Sequence, residues 1–142
     1  MPDTTTKVKF VDNNTKFDQS GVQWVINPWD ELALTRAVEI KEDAGNPVSS
    51  VTVATVGDAS VEPTIRKALA IGADDGIRVD VNPTNPEIVA GELAEVVKSN
   101  SFDLILCGIE SSDYNGSSVG AMLSEMLDYP SVSAVSSLNF NG

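Results

Sequence analysis

The chain has 142 residues, 42% of them hydrophobic, which suits one globular domain and is too apolar for a disordered chain. Its formal net charge of −12 repels a phosphate backbone and an anionic bilayer, so nucleic-acid binding and membrane insertion are poor first readings. A small nucleotide held by backbone N–H groups, or a basic protein partner, is still allowed. The sequence has no histidine, which removes Ser-His-Asp and Cys-His nucleophile systems and His-ligated metal sites, and the lone Cys107 permits no internal disulfide. No apolar run is long enough to cross a bilayer, and no basic region precedes an apolar stretch at the start, so a cytoplasmic location is expected.

In chain order, Lys7 to Val11 alternates and Asp12-Asn13-Asn14 reads as a turn. Val22, Trp24 and Ile26 alternate again, so two short strands are expected over 7–26. A helix follows, with Asn27 as its N-cap, Pro28 in the first turn and Asp30 and Glu31 complementing the dipole. Gly45-Asn46-Pro47 stops it. Residues 51–56 are β-branched and nearly all apolar, a strand expected to be buried on both faces of a parallel sheet. A helix near 63–71 ends at Gly72, a strand covers 77–81, and Thr84 or Asn85 caps a helix opened by Pro86. Residues 104–107 read as another apolar strand closed by Gly108, with Cys107 as inert core. A polar loop, 109–116, leads to a helix over 117–127 with Met122, Leu123 and Met126 toward the core, and 132–140 reads as a last strand.

Strands alternating with helices predict a three-layer α/β fold, a mostly parallel sheet with helices on its faces, in one domain over 1–142. Both ends read as cut. Asn141-Gly142 is a hairpin turn with no second strand after it, and no apolar central strand precedes Pro2. A sheet lacking a central strand predicts poor stability for the chain alone.

Ligands of open parallel sheets sit beyond the carboxyl ends of strands. Val56, the loop from Gly108 to Gly116 and the helix start at Ser117, Ser118 and Val119 fall there. The free N–H groups of that helix start would favour a phosphate, although plain N-capping by Ser117 explains the same pattern equally well. Trp29 and Tyr114 suit either base stacking or packing, and Glu110 and Asp113 suit either ribose hydroxyls or solvent. No carboxylate pair is placed for acid–base catalysis, so no catalytic residue is assigned.

Asn27-Pro28-Trp29-Asp30-Glu31 resembles the helix start of electron-transfer flavoprotein β-subunits. The run from Thr64 to Asp74, T-I-R-K-A-L-A-I-G-A-D, resembles that family's most specific segment, and F-D-L-I-L-C-G over 102–108 resembles another. Ser112-Asp113 and Val119-Gly120 resemble its nucleotide loop and following helix. The resemblance implies a Rossmann-like fold of the adenine nucleotide alpha-hydrolase type whose first strand is missing here. It also implies a non-catalytic electron carrier paired with an FAD-bearing α-subunit, with acyl-CoA or other dehydrogenases as donors. Carried over by position, Asn27, Pro28, Trp29, Asp30, Val56, Gly108, Asp113, Gly116, Ser117, Ser118 and Val119 would hold AMP or, in bifurcating relatives, a second FAD. A universal-stress-type ATP-binding regulatory module is the competing reading, because Gly108 to Ser117 loosely resembles its phosphate loop.

Overall fold

The computed structural model describes residues 1–45 and 47–140. It opens with a small antiparallel hairpin, β1 (Phe10–Val11) and β2 (Lys16–Phe17), in which Phe10 faces Phe17. Asp12, Asn13 and Asn14 all take positive φ, a conformation that short polar side chains tolerate. So tight a turn brings the second strand in at once, at 16–17 and not at 22–26 as the alternation suggested. Residues 22–26 lie against the chain start instead: Pro2 and Trp24 form one antiparallel bridge, and Val25 N–H donates to the Met1 carbonyl at 2.9 Å.

Helix α1 spans Pro28–Glu42, and its expected stop at Gly45-Asn46-Pro47 includes Asn46, which lies outside the described residues. Strand β3 (Thr52–Val56), a 3₁₀ turn (Ala59–Val61), helix α2 (Glu62–Ile71) and strand β4 (Asp75–Val79) then form a β-α-β unit. β3 and β4 pair in parallel from Thr52 with Asp75 to Val56 with Val79. Asp74 fastens this unit. Its carboxylate accepts from Val51 N–H at 2.8 Å and from Lys41 Nζ at 2.6 Å, and these bonds hold its pKa below the usual carboxylate range. Asn85 caps helix α3 (Pro86–Asn100), its Oδ1 accepting from Ile88 N–H at 2.9 Å, and helix α4 spans Val119–Leu127.

The apolar residues gather in two clusters. Leu34 and Val38 of α1 meet Ala68 and Ala73, with Val51 and Val53 of the sheet side packed against them. Ala90 and Ala94 of α3 meet Leu123 of α4, with Ile105, Val119 and Leu127 around them. These elements form an α/β fold around a parallel strand pair, as expected.

Several sequence expectations give way. Residues 104–107 join no ladder among the described residues, and Cys107 is exposed, because a strand exists only where a neighbour supplies its hydrogen bonds. Residues 132–140 also form no strand among the described residues; Arg36 Nη2 instead donates to the Leu138 carbonyl at 2.6 Å. The expected Asn141-Gly142 turn lies outside the described residues. β3 is half-buried, with Ala54 exposed, because among the described residues it is paired along one edge only. Leu123 faces inward, but Met122 and Met126 do not.

α3 follows β4 in the chain yet packs on β3 and α4. The surface is large. The chain exposes 9484 Å², whereas a compact monomer of 15.0 kDa exposes about 7000 Å².

Two glycines give opposite expectations. Gly72 ends α2 at φ 141°, and an added Cβ would stand 2.9 Å from Val38 Cγ1, whereas one added to Gly91, inside α3, meets nothing within 4 Å. Gly72→Ala is expected to destabilise by about 1–3 kcal/mol, and Gly91→Ala to stabilise by about 0.5–1 kcal/mol. Urea unfolding followed by circular dichroism checks both, and equal midpoints for the two variants would contradict the assigned backbone roles.

Candidate functional site

The polar residues that the sequence singled out converge where α1 begins. Asn27 occupies the N-cap position with extended backbone, but its side chain caps nothing. It reaches sideways instead. Nδ2 donates to the Glu110 carbonyl at 2.7 Å and to Asp30 Oδ2 at 2.9 Å. Oδ1 accepts from Ser112 N–H at 3.1 Å and from its hydroxyl at 3.3 Å. Asp30 extends the link, its Oδ1 accepting from Gly108 N–H at 2.7 Å. A Cβ at Gly108 would stand 2.5 Å from that same oxygen, so only glycine admits the close approach. Asn27 is only 7% exposed, and all its side-chain bonding capacity toward the loop is used.

The loop has further internal ties. Ser117, at φ 46°, donates its hydroxyl to Glu110 Oε2 at 2.9 Å, and the Ser111 hydroxyl donates to Asp113. Gly116 packs close to the Tyr114 ring. Ser117 is therefore not the N-cap of α4. That position falls to Ser118, whose side chain makes no capping bond, so the first N–H groups of α4 at Val119 receive no side-chain cap. Burial lowers the pKa of the Met1 amine, while the nearby Asp113 and Asp30 carboxylates oppose the shift, so the chain start also lies at this junction.

Of the expected site residues, the structure brings Asn27, Asp30 and Gly108 into one network and Asp113, Gly116 and Ser117 into the adjoining loop. Pro28 and Trp29 form the first turn of α1, with Trp29 43% exposed and hence not core. Tyr114 is 79% exposed. Val56 ends β3 in register with Val79 and takes no part in the network. The Cys107 thiol has its pKa raised by burial of the sulfur and by Asp30, so the group stays protonated at neutral pH although the residue is exposed. Sequence reasoning missed the pairing of Ser112 with Asn27, although Ser112-Asp113 resembles the family's nucleotide loop. Among the described residues, no group of three or more His, Cys, Asp or Glu is placed to hold a metal ion.

Fold and network define an α/β module whose polar residues collect between a helix start and a glycine-bounded loop. Residues 14–142 match the family model of the electron transfer flavoprotein domain, and the chain belongs to that family. It is 33% identical over 141 residues to the electron transfer flavoprotein subunit beta of Bacillus subtilis (strain 168), covering 96% of this chain and 54% of that protein. The corresponding subunit of Methylophilus methylotrophus is 34% identical over 126 residues, covering 87% of this chain and 47% of that one. The human subunit is 33% identical over 145 residues, covering 99% and 56%. The chain thus spans about half the length of the curated relatives it matches.

Removing the Asn27 side chain leaves the Ser112 N–H and the Glu110 carbonyl without their partner. Asn27→Ala is expected to destabilise by about 2–3 kcal/mol, and to speed amide exchange at Gly108 and Ser112 ahead of the rest of the chain. Hydrogen exchange read by NMR tests this; unchanged protection at both amides would show that the loop does not depend on Asn27.

Proposed function

We propose that this chain belongs to the β-subunit of a heterodimeric electron-transfer flavoprotein. It would bind AMP or a second FAD and help an FAD-bearing α-subunit carry electrons from acyl-CoA or other dehydrogenases to an acceptor in the cytoplasm. The observation that carries this reading is the Asn27–Asp30 network, which fastens the α1 start to the loop 108–117 in a chain of the electron transfer flavoprotein family. The names of the relatives support the same subunit, and the family match favours it over a universal-stress-type module. The N–H groups at the α4 start suit a phosphate, the exposed Trp29 and Tyr114 offer faces for an adenine, and Ser118 and Val119 would stand at the phosphate end. The chemistry belongs to the flavin, so this chain binds and orients without a catalytic group of its own.

The fold of this reading is Rossmann-like, with a further parallel strand between β3 and 104–107. The path of α3 over β3, the second edge of β3 and the absence of any ladder at 104–107 among the described residues support it. Fusing a short Val/Ile-rich strand ahead of Met1 is expected to raise the melting temperature by about 2–4 °C for each kcal/mol gained. A fused chain that melts where the parent does argues against the slot.

The functional test co-expresses the full-length protein containing this chain with its candidate α-subunit, denatures the purified complex and identifies the released nucleotides by mass. FAD plus AMP is the expected result for an ordinary carrier, and two FAD per complex would mark a bifurcating one. Release of ATP, or failure to form a complex, would overturn the proposal.

A further inference from the structure

The apolar stripe of helix α4 is wider than the face it buries. Val119, Leu123 and Leu127 pack inward on Ala90 and Ala94 of α3. Met122 and Met126, one turn apart on another face, are 36% and 39% exposed. The methionines extend the apolar stripe of α4 along one flank beyond what α3 covers, and an uncovered apolar flank is a surface open to a further contact. The outer face is a shallow groove of about 390 Å³ lined by Met122, Met126 and Ala121, with Glu125 of the same helix and Glu87 at the start of α3 as its charged residues. No Lys or Arg follows Lys98 in this sequence, so among the described residues nothing on α4 or the segments flanking it balances those carboxylates.

We infer that this groove docks an amphipathic helix of another protein, one that sets a Leu- or Phe-sized side chain between the two methionines and Lys or Arg side chains against Glu87 and Glu125. Thioethers are soft and rotatable and accept such apolar knobs without a preformed jigsaw fit. The carboxylates select the sign of the partner's charge and steer its approach. A second copy of this chain does not suit, because pairing the face with itself would set Glu87 and Glu125 against identical carboxylates. The inference stands on this face alone and does not depend on the nucleotide site.

The test uses the full-length protein with ¹³C-labelled methionine methyl groups, assigned through Met122→Leu and Met126→Leu. The probe is a synthetic acetylated amphipathic helix of Leu and Lys. Its controls carry Glu in place of Lys, or Ser in place of Leu. Both methyl signals are expected to shift saturably with the Leu/Lys helix alone. Affinity should fall at least about tenfold on raising the salt to 1 M, where screening is short-ranged, and at least about tenfold in the double variant Glu87→Lys/Glu125→Lys. Silent methyl signals, including silence because the rest of the protein already covers the face, would overturn the inference. So would equal binding of the Glu-bearing helix, or binding indifferent to charge reversal.

Discussion

The geometry of the candidate site rests on one buried amide. Asn27 and Glu110 are far apart in sequence, and the bond between them, with its companions to Ser112 and Asp30, is what fixes the loop 108–117 against α1. A buried amide is tolerated only when its donors and acceptor are satisfied, and Asn27 is the single buried polar residue among those described. The constraint propagates. Asp30 is steered by Asn27 Nδ2 and presents its other oxygen to Gly108 N–H, so the residue at 108 must be glycine.

Much of the fold was legible because its signals are local. Pro28 after Asn27, Pro86 after Asn85 and Gly72 after an apolar helix are punctuation that no tertiary contact needs to confirm, and α1, α2 and α3 fall where these residues put them. The β-branched run at 51–56 likewise became β3. The failures share one cause, the need for a neighbour. Residues 104–107 have the composition of a strand, but composition supplies no ladder partner, and the same holds for 132–140. Met122 and Met126 read as core because periodicity gives a helix an apolar stripe without saying how many stripes are covered.

The site was legible by residue and not by role. Asn27 reads as a cap and acts as a clamp; Ser117 reads as either a cap or a phosphate ligand and bonds Glu110. Both are the same chemistry redirected, since a short polar side chain near a helix start bonds whichever backbone group is closest. What sequence spacing cannot show is that a loop some 80 residues away supplies that group.

The charge of the chain sharpens what the junction is able to bind. Asp30, Glu110 and Asp113 stand around the loop, an unpromising setting for a phosphate in a protein of net charge −12. Each is engaged, however: Asp30 by Asn27 and the Gly108 N–H, Glu110 by Ser117, and Asp113 by Ser111. The dipole of α4 points at the same place with no acidic residue in its first turn. An anion bound there, as proposed, would rely on backbone N–H groups and not on a countercharge, and a phosphate recruiting the Ser117 hydroxyl would first have to take it from Glu110. That exchange costs one hydrogen bond to a carboxylate and returns one to a phosphate, so it is close to neutral. Affinity for the proposed nucleotide would then have to come from what the rest of the ligand gains, and the exposed aromatic faces of Trp29 and Tyr114 would count for more with a nucleotide than with free phosphate.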